Sequence, residues 1–432
     1  MVIAIINTTQ STQGAIPIMK TLAKSALGVA VAAAVAATSV QASEAVTMDP
    51  SLTFTYKNYY FDSDIKSDGG DNAHDWSHGL IADFDSGYVN DLIGVVVTAG
   101  YAGPLDIDPY ADGTGATNVA RGDDNKGDAI SGFQQAYLKA KHTFSGVDLA
   151  GTVGVKKRST ETYSDSGSRV LAASSTGYDL MAGFEGANLY FTEITGVSGR
   201  DESTLNKSVD EELKIVGANY SYEGLGLAAE YGKRDKEAKQ TFLKAEYGFE
   251  LDDVSSVDLD VRYGKTKSDA PNSDEKAKYY NLNATYNYGN AYVGLGYNKT
   301  KDGDYDAEYG FGSHHTKFNS SLDLWEKYAK EGEKAYVVSG GYNFADQGLE
   351  GLSWDVWYAK GDDADNVENF KRREYGSYVS YAFDGQLEGL SVAWLYTNYR
   401  ASGNDVGAAT VPTDLYDEDV NRLYLTYSVA AF

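Results

Sequence analysis

The chain has 432 residues, a formal net charge of −26, no cysteine, 46 glycines, 6 prolines and 35 tyrosines against 15 phenylalanines. The missing cysteines exclude a disulfide framework and thiolate metal sites, and the acidic balance disfavours a nucleic-acid partner. Beyond the N-terminal segment no stretch approaches the roughly 18 consecutive apolar residues of a spanning helix, a test that barrel strands escape because each gives only a short alternating signal.

In chain order, Lys20 and Lys24 precede an apolar run from Ala26 to Ala37, and Val40-Gln41-Ala42 has the small residues of a cleavage site. Residues 1–42 are therefore expected to be a secretory signal peptide, too short and alanine-rich to span a membrane. The residues before Met19 carry no targeting pattern, so translation is expected to start there, and residues 43–432 form the exported domain.

From that point alternating runs are separated by two kinds of connection. Tight turns are expected near Ser86–Asn90, Ser145–Val147, Glu185–Asn188, Glu223–Gly224, Asp252–Ser256, Tyr288–Asn290, Ala345–Gly351 and Asp384–Gly389. Longer polar connections fall between them, at Asp62–Trp76, Tyr101–Gly132, Ser159–Thr176, Val197–Glu211, Arg234–Gln240, Thr266–Lys276, Thr300–Glu333, Gly361–Phe370 and Ala401–Asp419. Eight tight turns alternating with nine long connections require eighteen strands with both chain ends on the tight-turn side. An even strand count, short turns on one rim and long loops on the other predict an all-β transmembrane barrel with short periplasmic turns and long extracellular loops.

The alternation assigns faces. Val257, Leu259, Val261 and Tyr263 point one way, while Asp258, Asp260 and Arg262 point the other; Tyr280 to Tyr288 alternates with asparagine and threonine in the same manner. An apolar exterior around a wet interior, with tyrosines at strand ends, fits a barrel in lipid. Between Tyr336 and Tyr399 one hairpin unit is written twice, each copy carrying Leu-Glu-Gly-Leu-Ser, at Leu349–Ser353 and Leu387–Ser391. A repeat near 40 residues would also suit a propeller, but a propeller does not need its connections to alternate short and long.

Several segments resemble the OprD-type substrate-selective porins. Leu52–Asp62, containing Asn58-Tyr59-Tyr60-Phe61, resembles the first strand of that family, with Lys57 where an arginine is usual. His74–Leu80 and Asp85-Ser86-Gly87 resemble the second strand, Arg169-Val170-Leu171-Ala172 the third loop, and the doubled Leu-Glu-Gly-Leu-Ser hairpins the late strands. In the third loop Arg169 replaces the usual proline. The resemblance implies a monomeric barrel in the outer membrane of a Gram-negative bacterium, in contact with its lipid and lipopolysaccharide. It also implies inward-folded third and seventh loops and a lumenal ladder of basic residues that passes small carboxylate-bearing solutes.

Lumen parity nominates Lys57, Lys139, Lys141, Lys156, Arg158, Arg372 and Arg422 as ladder members, and the third-loop resemblance adds Arg169 at the constriction. Cationic side chains along a wet pore lower the barrier to anions. The plain alternative for each is a structural ion pair or a rim anchor, and Arg262, beside Asp258 and Asp260, is the weakest of this type. Asp302-Gly303-Asp304-Tyr305-Asp306 begins like a calcium loop, yet lacks glycine at the sixth position and has Ser313 where the bidentate glutamate belongs. No metal, cofactor or catalytic residue is expected. His314-His315 has no metal partner spacing, and His142 falls on the apolar face, so a lipase has little support. The expected function is a passive, partly selective porin for small hydrophilic solutes. A neutral-oligosaccharide porin, using Trp357 and Tyr378, and a structural barrel or adhesin with a blocked lumen are the alternatives.

Overall fold

The computed structural model describes residues 48–66, 72–107, 120–121, 127–203, 207–365, 367–405 and 415–432. The expected signal peptide, residues 1–42, lies outside the described residues. The strands are β1 (Ser51–Ile65), β2 (Ala73–Asp85), β3 (Ile93–Ile107), β4 (Ala120–Arg121), β5 (Gly127–Asp128), β6 (Ile130–Phe144), β7 (Val147–Lys156), β8 (Ser174–Phe184), β9 (Ala187–Ser198) and β10 (Lys207–Tyr222). They continue as β11 (Leu225–Arg234), β12 (Ala238–Asp252), β13 (Ser255–Ser268), β14 (Lys276–Tyr288), β15 (Ala291–Lys301), β16 (Lys334–Asn343), β17 (Leu352–Asp362), β18 (Val367–Ala382), β19 (Leu390–Asp405) and β20 (Asp417–Ala430). Apart from the β4–β5 pair, they form one 18-stranded antiparallel sheet. It closes where β1 pairs with β20, from Thr53↔Ala430 to Ile65↔Glu418, so no backbone edge is left for lipid to solvate.

The tight turns are built for their task. Ser145-Gly146, Glu185-Gly186 and Glu223-Gly224 have φ of 51/82°, 44/84° and 44/82°. Two consecutive positive φ angles make the turn whose twist matches that of its strands. The repeated pentapeptide has a related origin. Gly351 and Gly389, at φ 86° and 89°, accept hydrogen bonds from Ala382 N at 3.0 Å and Ser428 N at 2.9 Å on the neighbouring strand. A Cβ would lie 2.2 Å from the Ala382 carbonyl oxygen and 2.1 Å from that of Ser428. Only glycine fits a joint pressed so closely against the next strand.

Two expected long connections are short. β11 and β12 are joined by residues 235–237, and β17 and β18 by residues 363–366. At about 3.3 Å per residue, the strands outrun the roughly 25 Å apolar band of such a barrel. Their polar upper ends go on pairing above the membrane, as Lys233↔Lys239 and Lys360↔Arg373 do, and a polar composition there resembles a loop.

The faces follow the alternation. Leu259, Val261, Leu282 and Tyr286 are exposed on the outside, while Tyr279, Asn281 and Asn298 are buried inside. Tyr231, Tyr280, Tyr336, Tyr358 and Tyr375 are exposed near the loop ends of their strands, forming an outer girdle.

Candidate functional site

Residues 157–173, the third loop between β7 and β8, and residues 302–333, the seventh between β15 and β16, turn into the barrel. Tyr163, Val170, Tyr309, Leu322 and Tyr328 are all fully buried, a state open to loop residues only if the wall surrounds them. Tyr163 and Tyr309 pack with Ile194, Leu213 and Ile215, and Leu322 and Tyr328 with Val337 and Ala359.

Wall carboxylates hold both loops. Glu230 on β11 accepts from Glu161 N at 2.9 Å, Thr162 N at 2.7 Å and Thr160 Oγ1 at 2.9 Å, and from the Tyr190 hydroxyl. Glu374 on β18 accepts from Trp325 N at 3.1 Å and Trp357 Nε1 at 2.9 Å, while Glu418 on β20 accepts from Trp325 Nε1 at 2.5 Å. These acids saturate backbone donors that would otherwise be buried without partners. The loops also grip each other. Thr162 Oγ1 and the Tyr309 hydroxyl share a hydrogen bond of 2.7 Å, His315 Nδ1 lies 2.7 Å from Asp165 Oδ1, and Ser166 N donates to His314 O at 2.9 Å.

The nominated basic residues divide into two groups. Arg158 and Arg372 serve the loops: Arg158 Nε donates to Asp179 at 3.1 Å, and Arg372 donates to both oxygens of Glu333, at 2.7 and 2.6 Å, and to Lys327 O at 2.8 Å. Arg262 behaves alike, on Asp260 at 2.8 Å and Asn319 at 3.1 Å. Lys156 lies 3.3 Å from Asp179. Lys139 and Lys141 stand toward the turn rim over the Tyr88 ring, paired with Asp85 and Asp91.

The other group converges. Arg169 stacks over Tyr59 at 5.3 Å and Phe61 at 5.7 Å; Arg422 stacks over Phe61 at 5.4 Å and Trp325 at 4.5 Å. Arg422 Nε has no hydrogen-bond partner among the described residues. Arg200, in the loop after β9, donates to Ser166 Oγ at 3.2 Å and Ser168 Oγ at 3.3 Å. Burial and then the neighbouring Arg169 pull its pKa down to about 9, which leaves it charged at pH 7. Burial, with Arg422 adding to it, also holds Arg169 below its ordinary value. Three guanidinium groups thus crowd the Tyr59 phenol. Lower on β1, Lys57 lies beside Lys157 and Asp83.

Strand parity found Lys57 and Arg422 but not Arg200, which sits in a loop with no parity to read. Trp325 was missed for the same reason. Glu230, Glu374 and Glu418 lie at inward positions of their strands, so alternation carried a signal for them. Trp357 is half-buried against the Leu322 cluster with its indole nitrogen on Glu374. Asp302 pairs with Lys278 at 2.7 Å, and Asp304 accepts from Glu331 N at 2.6 Å.

Known proteins share this architecture. OccK9 (OpdG) of Pseudomonas aeruginosa superposes with a TM-score of 0.76 at 19% identity, over 88% of this chain and 98% of that one. OccAB2 of Acinetobacter baumannii gives 0.74 at 22%, over 89% and 98%. OpdK of P. aeruginosa, in a crystal structure with vanillate, gives 0.72 at 18%, over 88% and 99%. In sequence, Porin D of P. aeruginosa is 28% identical over 367 residues, 78% of this chain and 79% of that protein. The family described as outer membrane porin, OprD family, matches residues 46–431. With eighteen strands, two inward loops and this match over residues 46–431, the chain belongs to the OprD family of outer membrane porins.

Proposed function

We propose that this porin is a passive, partly selective channel for small hydrophilic solutes bearing a carboxylate, such as amino acids and small organic acids. Members of its family are channels of the Gram-negative outer membrane, not enzymes. The observation that carries the carboxylate preference is the convergence of Arg169, Arg200 and Arg422 on Tyr59 between the third loop and the β1–β20 seam.

A carboxylate reaching this point exchanges water for guanidinium donors, which match its two oxygens. Low-dielectric walls focus the positive potential there. Lys57, two residues from Tyr59 along β1, offers the next cation, and Lys139 and Lys156 extend the stripe as members of ion pairs. Several weak sites in series let an anion enter without being trapped. The aromatic rings under Arg169 and Arg422 hold those side chains extended. Arg158 and Arg372 act indirectly, by fixing the loops that narrow the passage. Each chain carries a complete path of its own, since the path lies within one barrel. That OpdK crystallised with vanillate, itself a carboxylate, supports the solute class.

The test is ion selectivity in planar bilayers under a salt gradient. The variant Arg169→Gln/Arg200→Gln/Arg422→Gln should move the reversal potential toward cation preference and slow benzoate flux while leaving glucose flux unchanged. An unmoved reversal potential would remove the arginines from the path. Faster passage of neutral oligosaccharides than of carboxylates through the unaltered protein would favour the sugar-porin alternative.

A further inference from the structure

The outer face of the barrel carries a second charge pattern, unrelated to the pore. On the strands from β11 to β18, the residues directly above the tyrosine girdle are basic. Tyr231 is followed by Lys233 and Tyr263 by Lys265 and Lys267; Tyr358 is followed by Lys360, and Arg373 and Lys371 precede Tyr375. Burial alternates in step, the intervening Arg234, Thr266 and Arg372 being buried inside. These cations therefore face outward at the loop rim.

Their register is unusual. Lys233, Lys239, Lys267 and Lys276 lie directly opposite one another across four adjacent strands. Lys265, Lys278 and Lys301 form a second row, and Lys360, Arg373 and Arg400 a third. Like charges directly across a sheet repel and destabilise the pair. Half of the row members are offset locally: Lys233 pairs with Asp235, Lys239 with Asp269, Lys278 with Asp302 at 2.7 Å, Lys360 with Asp362 at 3.1 Å and Arg400 with Asp419 at 2.8 Å. Lys265, Lys267, Lys276, Lys301, Lys371 and Arg373 have no carboxylate within 4.0 Å among the described residues. These uncompensated cations, set beside like charges in so acidic a protein, are open to anions from outside it.

The belt is also one-sided. At the same height around the β1–β20 seam the outward residues include Asp62 and Asp106, which flank His74 at 3.6 and 3.9 Å, and Asp419. On β9 and β10 they are Glu193 and Glu212, with Lys214 between them as the end of the first row, opposite Lys233 and paired with Glu212 at 3.4 Å. Uniform attraction to an anionic surface would not need such a division.

We propose that the β11–β18 rim is a docking surface for the phosphorylated glycolipid of the outer leaflet. The basic rows hold the headgroup phosphates of lipopolysaccharide, and the tyrosines below them lie against its acyl chains. This rests on the outer-membrane placement of the protein and not on what the pore conducts. A phosphate monoester carries up to two negative charges and several acceptor oxygens, so one headgroup can span two neighbouring lysines. Tyrosine at the interface suits the boundary between sugar and hydrocarbon.

The test uses the full chain folded in detergent, incubated with diphosphoryl lipid A, with bound lipid counted by native mass spectrometry. The variant Lys265→Gln/Lys276→Gln/Lys301→Gln/Arg373→Gln should bind on the order of tenfold less lipid A. A control, Lys66→Gln, outside the rows, should bind as the unaltered protein does. Exchanging the same four residues between lysine and arginine should preserve binding, which guards against misfolding, as does heat-modifiable gel mobility. Equal retention by the glutamine variant would overturn the proposal. So would displacement by equimolar inorganic phosphate, which would indicate a small-anion site, or equal binding of phosphatidylglycerol, which would indicate general attraction to anionic lipid. Bilayer conductance of the same preparations separates this outcome from the channel's: a silent channel sinks the porin function and leaves the lipid result standing.

Discussion

Replacing Arg372 should loosen the seventh loop, and the size of the effect follows from its surroundings. Arg372 and Glu333 are each 1% exposed, and two hydrogen bonds of 2.7 and 2.6 Å join them. The guanidinium also holds Lys327 O at 2.8 Å and covers the Tyr328 ring at 4.2 Å. The change Arg372→Met keeps most of the volume but strands the Glu333 carboxylate, a loss of about 3–5 kcal/mol. At about 1.4 kcal/mol per tenfold, the docked-to-undocked ratio of the loop's C-terminal half falls by roughly two to three and a half orders of magnitude. The strand ladders are untouched, so the barrel should still assemble. Single-channel recordings should show raised conductance with flicker between levels. The double change Arg372→Met/Glu333→Met removes the stranded charge too, and should return a quieter trace near the original level, since buried pairs exchanged for apolar ones are often neutral. A quiet, unaltered current in the single variant, or equal noise in the double, would refute this account of how the loop is held.

The change Lys139→Gln/Lys141→Gln should shift the reversal potential less than Arg422→Gln does, because Asp85 and Asp91 already offset both lysines; an equal or larger shift would place the selective point at the turn rim. Acidification should loosen the grip of the seventh loop on the third. Burial and the nearby Arg200 hold His314 below its usual value, so the undocked loop takes up a proton more readily than the docked one. Docking is then indifferent to pH above about 6.5 and weakens below it. In His314→Gln the matching rise in open-channel noise between pH 7 and 5 should be smaller.

Strand number, faces and rims were legible because each rests on a local rule: period-two alternation, glycine turns and the contrast of short and long connections. The lengths of two loops were not, since Lys239 and Lys371 look the same in a loop as in a strand that continues above the bilayer. The site was half legible. Lys57 and Arg422 occupy strands, where parity fixes the inward face, whereas Arg200 and Trp325 reach the lumen only through tertiary packing. Parity also cannot tell an inward cation that serves a solute from one that serves a loop. Arg372 and Arg422 obey the same alternation on separate strands, and only Glu333, at the end of a distant connection, sets them apart. The basic rows outside were equally invisible, because no lysine shows in one dimension that another stands opposite it.

The closing seam has a consequence for assembly. Nearly every other strand pair in the barrel is adjacent in sequence, so each hairpin can join its predecessor at little entropic cost. β1 and β20 instead bring together residues separated by almost the entire chain, such as Phe61 and Arg422 or Tyr59 and Tyr424, and closure of so large a loop is the slow, non-local step. The arginine cluster is built across that seam: Tyr59 and Phe61 come from one margin and Arg422 from the other. A half-assembled sheet therefore contains every one of these residues and no selective point at all. Selectivity should emerge in one step with ring closure, so that refolding intermediates, if they leak ions, do so without discrimination.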